Sequence, residues 1–215
     1  MCVSAHWYGR GQAVSSAARP ETIYDFYGFP PELYQERYPA PGAPKLADRV
    51  AELFFNDLSL DPGRGLDHGA WSVLRFMYPE ADIPVCQLSV NAALSPLESY
   101  QAGERLRPLR EEGVLIIGSG DVVHNLALVD WEQADGYDWA DDFDAYIKTA
   151  VTEGRHEAVI NYGQAGPSAR RAFTRRDHYD PLLYALGAAD KGDRVRVFND
   201  ERVLGALSMT SYTIG

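Results

Sequence analysis

Cysteine is scarce. Cys2 and Cys86 are the only two in 215 residues, too few for a disulfide framework, so a reducing cytoplasm is the default compartment. Basic charge is also short: 20 Lys+Arg stand against 31 Asp+Glu, a net of −11. An acidic surface repels phosphate backbones, which argues against nucleic acid as a partner. The one tight basic group is Arg170, Arg171, Arg175 and Arg176. No apolar run approaches the roughly 18 residues a membrane-spanning helix needs, so no membrane partner is expected. The stretch Met1-Cys2-Val3-Ser4-Ala5-His6-Trp7 shows neither a basic n-region nor an apolar h-region, and no secretory signal is expected. Internal repeats and low-complexity linkers are absent. With 46% apolar and 24% charged residues the composition is globular, and the length suits a single domain over 1–215.

What is present is an alternation of apolar stretches with helical patterns, which predicts an α/β domain with a central sheet flanked by helices. Val3-Ser4-Ala5 reads as a short buried strand and Gln12 to Ala17 as a weaker one. Pro44 to Asn56 has Leu46, Val50, Leu53 and Phe54 at helical spacing, and Gly69 to Tyr78 is a second helix stopped by Pro79. Ile83 to Val90 is a strand, Leu97 to Arg110 a helix, and Gly113 to Ile117 the clearest candidate for a central strand covered on both faces. Trp139 to Glu153 and Pro181 to Ala189 are helical, the latter with Asp180 as its expected N-cap. Arg194 to Phe198 and Ala206 to Thr213 read as closing strands. A buried strand that begins at Met1 has no lead-in, which suggests that something upstream has been lost or was never encoded on this chain.

The five histidines carry the chemistry. His6 follows the strand Val3-Ser4-Ala5, and His124 follows Gly113 to Ile117 across the turn Gly118-Ser119-Gly120-Asp121. His68 and His178 sit just before helices. Ligands of open α/β sheets bind at the carboxyl ends of strands, so these four are candidates for one crevice. Each alone is as readily a hydrogen-bonded structural residue. His156 reads as an exposed helix start. Imidazole suits zinc, iron and copper, and an acidic protein can add a carboxylate. From placement alone the expectation is a metal site with a histidine acid/base.

The same residues lie in ordered motifs: Ser4-Ala5-His6-Trp7, Tyr24-Asp25-Phe26-Tyr27-Gly28-Phe29-Pro30, Tyr38-Pro39-Ala40-Pro41-Gly42, Asp67-His68-Gly69-Ala70-Trp71, Gly118 to Leu126, and Asp177-His178-Tyr179-Asp180-Pro181, with a closing Leu207-Ser208-Met209. The pattern resembles the class III extradiol ring-cleavage dioxygenases, in particular their bacterial 4,5-DOPA dioxygenase-like branch, over nearly the whole chain. The resemblance implies a fold of the protocatechuate 4,5-dioxygenase β-subunit type. It assigns His6 and His178 as metal ligands, His124 as the catalytic acid/base, and His68 as a further active-site histidine that orients substrate or oxygen. The remaining family ligand lies in a His-Gly-Ser-Pro motif after the family's first strand. That motif is missing here, which reads as an N-terminal truncation or a start codon placed too far downstream.

The implied reaction is cleavage of a catechol by O2 beside its two hydroxyls, with Fe(II) for activity and Zn(II) as another metal the site would bind. Phe26 and Phe29 are candidates for an apolar wall against the ring, core packing being the competing reading. With two inferred ligands where three are expected, weak metal binding and slow or absent turnover are predicted. Loss of the first strand would also leave the Val3 strand without a neighbour, and a homodimer covering that edge is the corresponding expectation. Two competing functions remain at this level: a metal-poor, non-catalytic binding protein on the same scaffold, and a zinc-dependent hydrolase. Other features read blandly. Cys86 is a small buried apolar residue. Asp141, Asp142 and Asp144 form a solvated helix face. Arg170 to Arg176 is a surface loop.

Overall fold

A computed structural model describes residues 1–215. In chain order the elements are β1 (Cys2–Gly9), β2 (Ala13–Ser15), α1 (Pro44–Leu53), β3 (Ser59–Asp61), α2 (His68–Met77), β4 (Gln87–Asn91), α3 (Pro96–Leu106), α4 (Pro108–Glu111) and β5 (Ile117–Ser119). They continue as α5 (Asp138–Thr152), α6 (His156–Ile160), α7 (Ala169–Ala172), α8 (Asp180–Gly187), β6 (Val195–Phe198), β7 (Arg202–Val203), β8 (Leu207–Ser208) and β9 (Ser211–Ile214). Contacts group them into two compact units, one of residues 1–93 and 108–119, the other of 94–107 and 120–215.

The first unit is built on a five-stranded mixed sheet of order β3-β2-β4-β1-β5, parallel except where β2 meets β4. Cys2, Val3 and Ser4 are buried because β1 is flanked on both sides, by β4 and by β5. This corrects the expectation of an unpaired β1 edge and removes the basis for a dimer that covers it. Helix α1 starts at Pro44, whose missing N–H costs nothing in the first turn, and buries Ala47, Val50 and Ala51. Helix α2 is capped by Asp67, whose side chain accepts from the Ala70 N–H, and it buries Trp71 and Leu74. Trp71 packs with Tyr38, Leu66 and Val85 in the core of this unit.

Two further expectations are corrected here. The run Val114-Leu115-Ile116 is no strand, and Leu115 is half exposed. Only Ile117–Ser119 joins the ladder, at the sheet's edge, so a run of branched residues here marks a loop entering an edge strand. Strand β4 begins at Gln87, four residues later than Ile83, because Pro84 cannot donate to a ladder.

The second unit is mainly helical. Its core gathers Val123, Phe143, Ile147, Val151, Tyr179 and Leu183. Helices α3 and α8 cross closely. A Cβ on Gly103 would lie 2.2 Å from the Tyr184 carbonyl oxygen and one on Gly187 would lie 2.0 Å from that of Tyr100, so only glycine allows this approach. The expected helix Leu97 to Arg110 divides at Arg107, before Pro108. Asp180 is the first residue of α8 rather than its cap, which is Tyr179. The closing strands pair among themselves, β6 with β9 and β7 with β8, and take no place in the five-stranded sheet.

Candidate metal-binding histidine groups

In the first unit His6 stands on an irregular stretch of β1. Ser4 is paired with Ser89 and Tyr8 with Val90, so Ala5, His6 and Trp7 have no partner in the β4 ladder. Such a bulge re-aims side chains near functional sites. Arg64 braces it: its guanidinium lies 4.9 Å over the Trp7 ring, and Nη2 reaches the His6 carbonyl at 3.5 Å. His68 opens α2 directly behind its cap. The segment carrying Asp25 is tied to α2 because Ile23 N–H donates to the Leu66 carbonyl at 2.7 Å and Trp71 Nε1 donates to the Ile23 carbonyl at 2.9 Å.

The side chains converge. His68 Nδ1 is 2.9 Å from Asp25 Oδ1, His6 Nδ1 is 3.8 Å from Asp25 Oδ2, and the two imidazole centroids are 3.8 Å apart. Burial alone would push the Asp25 carboxyl up, but hydrogen bonds from the ring and backbone of His68 outweigh it and hold the group at about 2. Phe26 meets the His68 ring edge-on at 5.4 Å, and Phe29 meets Phe26 at 5.5 Å. Beneath the group lies fully buried Asp67, which accepts from Ser4 Oγ (2.7 Å), Gln87 Nε2 (2.7 Å) and Arg64 Nη2 (2.6 Å).

In the second unit His124 is held by its backbone, whose N–H donates to the Ala172 carbonyl at 2.8 Å. Gly120 lets the preceding turn approach His178, since a Cβ there would lie 2.2 Å from the His178 carbonyl oxygen. The Asp121 N–H donates to that same oxygen at 2.9 Å. The rings of His124 and His178 stack at 3.5 Å with 4° between their planes. His178 Nδ1 lies 3.2 Å from Asp177 Oδ1. Burial pushes the Asp121 carboxyl up to about 6, with the His178 charge opposing.

His6 and His68 thus stand together with Phe26 and Phe29, and His124 stands with His178. In each unit a carboxylate joins the histidines: the ligand atoms of His6, Asp25 and His68 lie within 4.8 Å of one another, as do those of Asp121, His124 and His178. Sequence reasoning did not assign Asp25 or Asp121, although both fall inside the quoted motifs. An acid between Tyr24 and Phe26, in an otherwise aromatic segment, was the available signal for Asp25.

Three bland readings change. His156 is half-buried, its Nδ1 2.9 Å from the Tyr100 hydroxyl, because α6 packs against α3. Asp144 is no solvated acid. It is fully buried, accepts from Ser208 Oγ and lies 3.4 Å from Arg202 Nη1. Of the arginine group, Arg170 and Arg171 lie in helix α7, and Arg176 is drawn inward to Asp180 at 3.3 Å.

The chain matches the family described as the catalytic LigB subunit of aromatic ring-opening dioxygenase over residues 1–214. It belongs to that family. The chain is 42% identical over 217 residues to the 4,5-DOPA dioxygenase extradiol of Beta vulgaris, covering 99% of this chain and 81% of the relative. It is 42% identical over 219 residues to the protein of the same description from Escherichia coli, covering 99% and 80%. The crystal structure of an uncharacterized protein from Escherichia coli K12 superposes with a TM-score of 0.84 at 37% identity, covering all of this chain and 84% of that one. This ring-opening dioxygenase therefore belongs to a non-haem, metal-dependent class of enzymes, and its histidine–aspartate groups have the donor chemistry for a divalent ion. No helix is long and apolar enough to cross a membrane.

Proposed function

We propose that this chain, acting as one catalytic domain over residues 1–215, opens the ring of a DOPA-like catechol by extradiol cleavage, with O2 as co-substrate. The observation that carries this reading is the gathering of motif histidines with a carboxylate in each unit, in a chain whose relatives bear the description 4,5-DOPA dioxygenase extradiol. Following the motifs, His6 and His178 are the metal ligands. Imidazole donors suit Fe(II) for activity, with Zn(II) as a competing occupant. When bound, the metal lowers the cost of ionising the diol and links it electronically to oxygen.

His124 accepts a catechol proton and returns it to the opened product, a task that suits an imidazole because its ordinary pKa lies near neutrality. Its backbone bond to Ala172 and its stacking on His178 fix the ring for that transfer. His68 orients the substrate, and Phe26 and Phe29 form an apolar wall for its ring. Both cysteines are buried and free, which fits a reducing compartment, and we assign the enzyme to the cytoplasm.

The test is anaerobic loading with Fe(II), followed by L-DOPA and air, reading oxygen uptake and a yellow ring-opened product. His124→Ala should lower the rate by on the order of 10²-fold or more. With two motif histidines named as ligands the turnover is expected to be slow. Iron-loaded protein at high concentration that consumes no oxygen over hours with L-DOPA or with simpler catechols would refute the assignment.

A further inference from the structure

Asp25 has no part in the roles assigned above, yet it faces both imidazoles of its group. One oxygen, Oδ1, takes the His68 backbone N–H at 3.0 Å and lies 2.9 Å from His68 Nδ1. The other faces His6 Nδ1 at 3.8 Å. An ionised carboxylate only accepts hydrogen bonds, so the ring nitrogen against it carries the proton. A neutral imidazole has one N–H, and fixing it at Nδ1 leaves the lone pair on Nε2.

The remaining contacts hold that orientation. The His6 ring lies 3.8 Å from the His68 ring at a 44° tilt, and Phe26 abuts the His68 ring edge-on. The Ile23 N–H bond to the Leu66 carbonyl and the Trp71 indole N–H bond to the Ile23 carbonyl tie the Asp25 segment to α2, so donor and acceptor keep their register. The carboxylate and the imidazole are 43 residues apart in the chain, and the bonds at Ile23 bring them together.

We propose that Asp25 is a positioning residue for ring opening. It holds His68 in the Nδ1–H tautomer, so that the Nε2 lone pair is the group offered to a catechol hydroxyl. The functional consequence rests on the ring-opening reading. The tautomer itself is measurable without substrate or metal.

The experiment is long-range proton–nitrogen correlation on the nitrogen-15-labelled full chain, with chelator present, at a pH of about 8, above the ordinary histidine range. His68 is assigned by the signal lost in His68→Gln. The expected native spectrum shows His68 protonated at Nδ1 and bare at Nε2. A native His68 protonated at Nε2 overturns the proposal whatever the activity.

In Asp25→Ala the population should move to the Nε2–H form, and kcat on L-DOPA should fall at least about tenfold, with KM changing much less. Asp25→Asn keeps an acceptor oxygen, so it should retain the native tautomer and recover most of kcat. An Asp25→Ala chain with unchanged tautomer and kcat refutes the idea. If that variant does not fold, the native and Asn spectra decide. A native Nδ1–H signal in a chain that opens no catechol would sink the ring-opening reading while supporting the tautomer assignment.

Discussion

Removing the Asp67 carboxylate should destabilise the first unit and disturb both of its histidines together. In Asp67→Ala the helix α2 loses its N-cap, which costs about 1 kcal/mol. Arg64 loses a carboxylate partner at 2.6 Å while remaining mostly buried. Breaking a buried pair costs about 3–5 kcal/mol, and the low end applies because Arg64 can turn partly to water. Ser4 and Gln87 also lose their acceptor, but those losses overlap with the first two. The sum is about 4 kcal/mol, a large part of the roughly 5–15 kcal/mol that holds a typical domain. Urea unfolding followed by circular dichroism measures it, and Asp67→Asn, which keeps one acceptor of similar shape, should lose roughly half as much. Because Ser4 lies two residues before His6 and His68 opens the capped helix, metal affinity should fall with stability. A loss below about 1 kcal/mol would mean that the network does not hold the cap, and the account of how these histidines are placed would fail.

Gly69→Ala would put a Cβ 2.7 Å from Ser4 Oγ and 2.8 Å from His6 Cδ2. It should cost about 1–3 kcal/mol and displace the His6 ring, lowering ring-opening kcat at least about tenfold while the circular dichroism spectrum is kept. A divalent ion added to chelator-stripped protein at about 100 times its Kd should stabilise it by about 2.7 kcal/mol and raise the melting midpoint by several degrees; an unmoved midpoint with Fe(II), Zn(II) and Mn(II) would count against a built site. His156 is held below its ordinary pKa, first by burial and then by the Arg107 charge. The unfolded chain therefore binds the proton more readily, and the stability this group contributes is present above about pH 6.5 and lost as pH falls through the depressed value. The stability curve of His156→Gln should be flatter across that window, and an unchanged slope would refute the assignment.

The parts of this molecule that sequence made legible are those decided locally. Helices α1, α2 and α5 declare themselves by apolar spacing, and β1 by the short run Val3-Ser4-Ala5 ahead of His6. The failures have physical causes of the opposite kind. Val114 to Ile116 has the composition of a central strand, but ladder membership depends on partners, and only the three residues after it find any. Asp144 resembles its neighbours Asp141, which is half-buried against Arg202, and Asp142, which is exposed, and it is itself buried because Arg202 and Ser208, some sixty residues later, supply the bonds that make burial tolerable. The histidines stood out because imidazole in a motif is rare. Asp25 and Asp121 did not, because a carboxylate in a loop is common and the ring it faces lies 43 residues away for Asp25.

The skipped pairing at residues 5 to 7 separates the scaffold from the reactive group. A replacement at position 6 leaves every rung between β1 and β4 intact, so such a chain would still fold while its chemistry changed. On the proposed assignment of His6 as a ligand, that ligand can be exchanged by a single substitution without touching the ladder that holds the sheet together.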